Sequence, residues 1–328
     1  MSDNSYVSES QRNIDLLLTD YLDLQSPLVD EYRVPMSSLQ ALRLIHTARP
    51  ALIHGFSPLK GSLEDWTRGE TYSSISGSRP ISIAVTDDGL ADSVREVDNG
   101  TRVFLKPLEE TMTMSAFLDG LCRRKSHEVR YLQSQNGNVY RSEGSDHPQL
   151  EVFQPFFERD VSWMREATDS SAEAVNLWIG DSRSTTSLHH DPFENIYHVL
   201  GGSKTFTLIS PIEEQFYPPA TLCRSPSGHL NPVIDSPPAR SIPWVASVNV
   251  PEPIHPLRVA VHEGETLFLP SGWWHRVEQC EGKGAFAAAI NYWYPAEIHP
   301  ERYAYERLAR RVARAAGHNG VIPVDDAI

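Results

Sequence analysis

Apolar residues recur at helical spacing in three segments of the N-terminal part of the chain, which predicts three helices. These segments are residues 14–22, 37–47 and 111–125. In the second segment the spacing places Leu39, Leu42 and Ile45 on one face, which we expect to be buried. Between the second and third helices, residues 81–86 alternate apolar and polar side chains and predict a strand that ends in a turn at residues 87–89.

From about residue 128 the pattern changes to short apolar runs separated by turn residues. Nine strands are predicted: 128–134, 175–180, 184–191, 194–200, 203–210, 258–262, 266–269, 273–279 and 285–293. Gly201 and Gly202 predict a tight hairpin turn, and residues 263–265 predict another. Short strands at regular spacing are typical of a sandwich or barrel, so we expect a mainly β fold with helices at both ends.

The pattern divides the chain into three parts. Residues 1–127 form an N-terminal support region, residues 128–298 the β core, and residues 299–328 a C-terminal helix and tail. Ten of the 24 prolines fall within residues 218–256. Because proline interrupts both helices and sheets, this stretch is predicted to be an irregular surface insertion in the core rather than a separate domain.

The predicted C-terminal helix has an apolar stripe and a basic face. The stripe consists of Tyr305, Leu308, Ala309, Val312 and Ala315, and several arginines lie between these residues. A lone helix of this length is marginal in water, so the stripe must pack on the body of the protein or on a second subunit. Binding of the basic face to nucleic acid is the less favoured alternative.

The composition limits which binding partners and which cellular compartment are expected. The net charge of −14 and the isoelectric point of about 5.4 disfavour general nucleic-acid binding and fit a basic protein or peptide partner. Three widely spaced cysteines without a CxxC pair argue against a disulfide framework and indicate a reducing compartment. The polar N-terminus and the lack of a long apolar run predict no signal peptide and no membrane span. We therefore expect a cytoplasmic protein, with the nucleus as a second location.

Two segments far apart in the chain carry the candidate chemistry, the first at residues 186–204 and the second at residues 269–275. Alternate residues of a strand share a face, so His189 and Asp191 point the same way while His190 points away. His275 in the second segment would complete a set of two histidines and one carboxylate. Such a set leaves open coordination positions on Fe(II) for an oxidant and a co-substrate. Zinc is the competing metal, although a catalytic zinc site usually keeps only one open position.

Lys204 is the candidate ligand for a co-substrate. It follows Asp191 across one predicted hairpin, on what would be the wall of a barrel. A lysine buried there needs a negative partner, and a dicarboxylate 2-oxo acid would supply one. The 2-oxo acid end of such a molecule would chelate iron, while its distal carboxylate would meet Lys204 and the hydroxyls of Thr186 and Tyr131.

Together these motifs resemble the Jumonji-C family of Fe(II)- and 2-oxoglutarate-dependent oxygenases, and its hydroxylase branch in particular. The segments that carry the resemblance are 85–95, 131–135, 175–180, 186–204, 269–275 and 291–294. The resemblance implies a double-stranded β-helix of the cupin type, with Fe(II) as cofactor and 2-oxoglutarate and O2 as co-substrates. It also implies a role for each motif residue, by position in the motifs. His189, Asp191 and His275 match the metal ligands; Lys204, Thr186 and Tyr131 match the 2-oxoglutarate ligands; Asn195, Tyr197 and Asn291 match the pocket lining; Trp293 matches a residue that flanks the iron.

The resemblance implies hydroxylation of a protein side chain, with lysine as the expected target and a GTP-binding protein as one candidate substrate. It also implies a homodimer formed through the C-terminal helix. Within the same chemistry the alternatives are a methyl-lysine demethylase and a tRNA-base hydroxylase. We find no chromatin-reader module and no cysteine–zinc module in the sequence, which makes the demethylase less favoured. The low isoelectric point makes the tRNA-base hydroxylase less favoured. A non-catalytic cupin-type scaffold that binds a partner is the alternative from a different class, and an incomplete metal triad would favour it.

Overall fold

The structure is a computed structural model. It describes residues 9–97, 101–105, 107–123, 127–133, 137–141, 148–216, 220–221, 241–242, 244–245, 255–297 and 299–317. Within these residues the helices are α1 Glu9–Leu24, α2 Ser38–Thr47, α3 Gly69–Ser76, α4 Met114–Arg123, α5 Ser162–Thr168 and α6 Pro300–Ala315. Three short 3-10 helices span Leu63–Thr67, Glu151–Phe156 and Pro211–Phe216.

The strands follow the same chain order. They are β1 Asp30–Arg33, β2 Ala51–His54, β3 Pro80–Thr86, β4 Leu90–Ala91, β5 Ser93–Val97, β6 Thr101–Leu105, β7 Leu108–Thr113, β8 Val129–Tyr131, β9 Tyr140–Arg141, β10 Ala174–Gly180, β11 Thr185–His189, β12 Phe193–Gly201, β13 Ser203–Ile209, β14 Ala220–Thr221, β15 Ser241–Ile242, β16 Trp244–Val245, β17 Leu257–His262, β18 Thr266–Leu269, β19 Trp274–Cys280 and β20 Ala287–Pro295. The nine strands predicted beyond residue 128 are all present, with ends that differ by a few residues.

Two sheets form the core of the fold. The larger has the order β1-β2-β18-β12-β20-β10-β9, and the smaller has the order β16-β11-β19-β13-β17 with β4 beside β11. The pairs in these two sheets are antiparallel, including β12 with β20 and β13 with β19, except for the parallel pairs β1 with β2 and β4 with β11. This arrangement of antiparallel strands, with helices at both ends of the chain, confirms the predicted mainly β, cupin-like architecture.

The two sheets differ in how their strands are buried, and the difference follows from what covers them. Nearly every residue of β10, β12 and β20 is buried, because one face of the larger sheet meets the smaller sheet and the other meets the helices. Strand β17 alternates buried and exposed residues, as expected for a sheet with solvent on one side. The space between the sheets is therefore the interior in which a site can be enclosed.

Helix α2 begins where the sequence predicts but buries a different face. Ser37 and Gln40 form a capping box at its N-terminus. The predicted face is wrong for Leu39 and Leu42, which are 58% and 50% exposed, whereas Ala41 and Leu44 are buried. Helix α2 packs against α5, and we attribute the choice of face to the small Ala41 side chain, which lets the two helices approach closely.

Helix α6 covers the predicted span and packs against α1. Its buried residue is Ala313, which forms a small apolar cluster with Ile14 and the partly buried Val312. Tyr305 and Leu308 of the predicted stripe are 70% and 53% exposed. These two residues do not pack on the body, because the helix turns its Ala313 side towards α1, and packing of the stripe on a second subunit stays a prediction.

The three-part division of the chain stays a prediction. Strand β2, from the N-terminal region, pairs with β18 inside the larger sheet, and β3 pairs with β8 at the start of the predicted core. Most of the proline-rich insertion at 218–256 lies outside the described residues, apart from the short strands β14 to β16. None of the helices described here is long and apolar enough to span a membrane.

Candidate metal and co-substrate site

Two histidines meet between adjacent strands of the smaller sheet. His189 is the last residue of β11, and it lies directly opposite His275 in the antiparallel pairing of β11 with β19. Asp191 follows two residues after His189 and returns to the same side, as the period of a strand predicts. Both histidines are buried, and the Asp191 carboxylate is 20% exposed. The structure therefore brings together all three predicted metal ligands.

The three side chains form a compact set. The imidazole centroids of His189 and His275 lie 4.2 Å apart. The distance from Asp191 Oδ2 to Nε2 is 3.8 Å for His189 and 3.7 Å for His275. One donor atom from each residue lies within 4.8 Å of the other two, so a single ion could contact all three after small side-chain movements.

Hydrogen bonds to the backbone hold both imidazoles in the form that a metal requires. His189 Nδ1 lies 2.7 Å from the carbonyl oxygen of Ser187, and His275 Nδ1 lies 2.9 Å from that of Trp273. A carbonyl only accepts, so each Nδ1 donates and each Nε2 keeps its lone pair on the Asp191 side. Burial also lowers the pKa of His275 to about 3, which keeps its ring neutral.

This donor set fits a divalent transition metal. Two neutral imidazole nitrogens and one carboxylate oxygen on one side of an ion form the facial arrangement of non-haem Fe(II) oxygenases, which leaves positions for other ligands. Zinc binds similar residues in enzymes that need a single open position. The polar side chains that line the neighbouring cavity could serve as co-substrate ligands, which favours iron.

A narrow cavity of about 30 Å³, part of it open to solvent, adjoins the triad. It is lined by Tyr131, Trp178, Thr186, His189, Asp191, Asn195, Tyr197, Phe206, His275, Val277, Asn291 and Trp293. Nine of the ten predicted site residues are among them, and Lys204 is the exception. Phe206 and Val277 were missed, although each lies two residues after a predicted site residue on the same strand face. Trp178 was missed as a site residue because its own strand carries no candidate ligand.

Lys204 lies behind the cavity wall. Its side chain is fully buried, and its Nζ donates to the side-chain oxygen of Gln279, its direct cross-strand partner. The Nζ also lies 3.5 Å from the hydroxyl of Tyr131, which does line the cavity. Among the described residues no carboxylate pairs with Lys204, and burial lowers its pKa to about 7. The ammonium group of Lys204 therefore contacts only uncharged side chains, and an anion would stabilise it more strongly.

Two hydroxyl groups stand between Lys204 and the metal ligands. Tyr131 and Thr186 form a side-chain hydrogen bond. Burial raises the pKa of the Tyr131 phenol, and this hydrogen bond opposes part of the rise. The phenol is therefore neutral at physiological pH and can donate to an anion. Tyr131 and Thr186 line the cavity together, as predicted.

A buried amide network fixes the opposite wall. Asn291 Oδ1 accepts from Trp178 Nε1 at 2.9 Å and from Asn176 Nδ2 at 3.2 Å. Asn291 Nδ2 in turn donates to Asn195 Oδ1 at 3.1 Å. These contacts set the orientation of the Asn291 amide, and they leave the Asn195 amide nitrogen without a hydrogen-bond acceptor among the described residues. Asn176 and Trp178 support the site from positions that strand periodicity alone does not mark.

Aromatic side chains complete the lining. Tyr197 packs edge-on against Phe206 with centroids 5.1 Å apart. Trp293 stacks on Phe193 at the same distance, with an interplanar angle of 13°. These rings surround the polar groups with apolar surface, and electrostatic contacts are stronger in such an environment than in water.

Comparisons with known proteins agree with this geometry. The family model for the cupin-like domain matches residues 37–299. The human bifunctional peptidase and (3S)-lysyl hydroxylase JMJD7 is 33% identical over 288 residues, which cover 82% of this chain and 84% of the relative. Lysine-specific demethylase JMJ32 of Arabidopsis thaliana is 29% identical over 300 residues, 84% of each chain. JmjC domain-containing protein E of Dictyostelium discoideum is 29% identical over 277 residues, 72% of this chain and 76% of the relative. This chain therefore belongs to the cupin-like, Jumonji-C family of Fe(II)- and 2-oxoglutarate-dependent oxygenases.

Proposed function

We propose that this protein hydroxylates a lysine side chain of a protein substrate, using Fe(II), 2-oxoglutarate and O2. The observation that carries the proposal is the pairing of a buried two-histidine, one-aspartate set with a buried lysine that has no carboxylate partner among the described residues. The first can hold Fe(II), and the second can hold the far end of a dicarboxylate. A non-catalytic scaffold would not need both.

In this proposal His189, Asp191 and His275 hold the iron. Bound there, iron together with 2-oxoglutarate would supply O2 activation coupled to decarboxylation, and one oxygen atom would enter an unactivated C–H bond of the substrate. Lys204 and Tyr131 bind the distal carboxylate as donors. The protein's own part is to fix these positions and to keep water out.

Contacts within the site support these roles. The carbonyls of Ser187 and Trp273 keep the two Nε2 atoms unprotonated. The amide of Asn291, held by its network, keeps Asn195 in place beside the co-substrate. The stacked rings of Phe193 and Trp293 place apolar surface beside the cavity, which limits the access of water.

Lysine as the target is supported by the human relative, whose name gives a (3S)-lysyl hydroxylase activity. The net charge of −14 fits a basic substrate, and a GTP-binding protein with an exposed basic segment is our candidate. The same charge disfavours a tRNA substrate. The name of the Arabidopsis relative, a lysine-specific demethylase, keeps removal of a methyl group as the second candidate.

Mass spectrometry separates the two candidates. Matched peptides carrying lysine or methyl-lysine are incubated with the protein, Fe(II), 2-oxoglutarate and O2. Hydroxylation adds one oxygen to the lysine peptide, whereas demethylation removes a methyl group from the methyl-lysine peptide. A protein that consumes 2-oxoglutarate but alters neither peptide would contradict lysine as the target.

The contact between Lys204 and Gln279 leads to a prediction about co-substrate binding. Gln279→Glu places a carboxylate against the buried ammonium, where it competes with the distal carboxylate of 2-oxoglutarate. A hydrogen bond to a charged group contributes about 1.5–3 kcal/mol, so we expect the dissociation constant of 2-oxoglutarate to rise about 10- to 100-fold. Titration calorimetry with Mn(II) in place of iron measures this.

The matched control is Gln279→Met, which keeps the side-chain length but removes the strong acceptor. It leaves Lys204 in need of a partner, so 2-oxoglutarate should bind at least as tightly as it does to the wild type. Equal affinities for the Glu and Met variants would show that Gln279 has no influence on the co-substrate.

We also propose a homodimer formed through α6. Tyr305 and Leu308 are exposed on its outer side, and α1 exposes Leu16 next to it. A twofold axis would let one apolar surface serve both subunits.

Leu308→Glu should weaken association by about 2 kcal/mol or more, a thirtyfold rise or greater in the dimer dissociation constant. Light scattering of the wild type at micromolar concentration comes first, and a mass of one chain would reject the dimer. Leu39→Glu, the same change at a similarly exposed leucine of α2, is the control.

We propose a cytoplasmic location, with the nucleus as a second site. Cys122 and Cys280 are free thiols, which suits a reducing compartment. Cys223 lies outside the described residues. Cell fractionation with an antibody to the protein tests the location, and recovery with the secreted or membrane fraction would contradict it.

A further inference from the structure

A second cavity, of about 530 Å³, lies beside the loop that precedes His275. Its walls come from the C-terminal end of α1, from the 3-10 helix after β13, and from the residues that lead into β17. Its lining includes Tyr21, Glu213, His255 and Trp273. We call this cavity the α1 cleft. None of its lining residues belongs to the metal and co-substrate site.

The α1 cleft is connected to the metal ligands through the backbone. Trp273 lines the cleft, and its carbonyl oxygen accepts from His275 Nδ1 at 2.9 Å. The adjacent Gly272 N–H donates to the carbonyl oxygen of Asp191 at 2.9 Å. Leu208 pairs directly with His275, and Glu213 follows Leu208 by only five residues. Because a chain spans at most about 3.6 Å per residue, Glu213 lies within about 18 Å of this pair along the backbone.

The charge in the α1 cleft is a buried carboxylate. Glu213 is 1% exposed, and its Oε1 accepts from the backbone N–H of His255 at 2.9 Å and faces its ring Nδ1 at 3.2 Å. Its other oxygen, Oε2, accepts no hydrogen bond from the residues that the structure describes. Arg49 and Arg302 lie near Tyr21 but are engaged elsewhere: Arg49 pairs with Asp30, and Arg302 pairs with Glu306 of its own helix.

We propose that the α1 cleft binds a basic side chain, lysine or arginine, that flanks the modified residue of the protein substrate. The inference rests on the proposed protein-hydroxylase function and extends it to substrate selection. A buried carboxylate is stable when it meets a cation. The aromatic rings of Tyr21 and Trp273 provide apolar surface for the stem of such a side chain. An extended peptide covers about 18 Å in five residues, so a basic residue up to about five positions from the target can reach the cleft.

Binding of stepped peptides tests the proposal. The probes are fluorescent 11-residue alanine-based peptides with a central lysine and a single arginine placed at each flanking position in turn. With protein loaded with Mn(II) and 2-oxoglutarate, fluorescence anisotropy should show one preferred arginine position within five residues of the centre. Glu213→Gln should reduce this preference about tenfold while leaving the arginine-free peptide unaffected.

Two further variants keep the test decisive. Asp119→Asn removes the same charge from an exposed site on α4, so an equal loss there would assign the preference to net charge and overturn the proposal. His255→Ala removes a competing partner of Glu213 from a half-exposed position and should strengthen the preference, which gives a readout even if Glu213→Gln fails to fold.

The outcomes also separate this inference from the proposed function. No preferred arginine position, or a preference that survives in a folded Glu213→Gln variant, overturns the cleft assignment alone. If the preference is present and depends on Glu213 but no lysine is ever modified, the cleft assignment stands and lysine hydroxylation fails.

Discussion

Replacing His275 with alanine is expected to remove metal binding and 2-oxoglutarate turnover together. The variant leaves only His189 and Asp191 on one face, too few donors to hold Fe(II) against water. Loss of a residue that merely supports a ligand costs about 10- to 100-fold in metal affinity or activity, so losing a ligand itself should cost more than a hundredfold. Metal content by mass spectrometry and succinate formation measure the two effects.

His190 provides the matched control. It follows His189 directly and is largely buried, but it packs against Trp274 with ring centroids 4.8 Å apart and takes no part in the triad. Burial lowers its pKa to about 4, so it is neutral. His190→Ala should keep its metal, whereas a His275→Ala variant with full turnover would show that the triad assignment is wrong.

The difference between these neighbouring histidines is also the part of the site that was easiest to predict from the sequence. Strand periodicity alone assigns His189 and Asp191 to one face and His190 to the other. It says nothing about which distant strand lies opposite. The contact of His189 with His275 depends on the register of β11 with β19; the sequence offered His275 as the third ligand because of its residue type and the motif around it, not because of this register.

For Lys204 the sequence predicted burial but not the hydrogen-bond partner. Its burial was expected, and the structure agrees. Its partner was not expected, because Gln279 is joined to it by the register of β13 with β19. Gln279 does lie four residues after His275, so periodicity places it on the same face. The strand face on which a residue lies does not predict its contact when the partner belongs to another strand.

The helices show a related limit, this time in packing. The span of α6 was predicted well, but its buried residue is Ala313, which lies outside the predicted stripe. In α2 the buried residue Ala41 replaces an expected leucine. Alanine carries little weight in an apolar pattern, yet its small side chain permits close helix contacts. Which side of a helix is buried therefore depends on its neighbour as well as on its own hydrophobicity.

The second large effect is expected for Lys204→Ala. The variant removes the cation proposed to bind the distal carboxylate of 2-oxoglutarate. A hydrogen bond to a charged group contributes about 1.5–3 kcal/mol, so the dissociation constant should rise about 10- to 100-fold. Titration of 2-oxoglutarate into the Mn(II)-loaded protein measures it. Lys283→Ala, at an exposed position, is the control, and unchanged affinity in Lys204→Ala would contradict the assignment.

Lys204→Arg should restore little of the affinity. Its guanidinium is planar and larger than an ammonium group, and the position between Gln279 and Tyr131 is fully enclosed. Recovery of near wild-type affinity would indicate that charge alone matters there. That result would remove the geometric part of the assignment but keep its electrostatic part.

The same contact has a pH signature, because burial lowers the pKa of Lys204 to about 7. Below pH 7 the free protein already carries the ammonium group, so binding of 2-oxoglutarate needs no proton. Above pH 7 the amine is neutral and a proton must be taken up on binding, so the affinity should fall by up to about tenfold per pH unit.

Calorimetry in buffers of different ionisation enthalpy should show uptake of about one proton at pH 8 and almost none at pH 6. Lys204→Ala should abolish this difference. Equal proton uptake at the two pH values in the wild type would mean that Lys204 is not the group that meets the carboxylate.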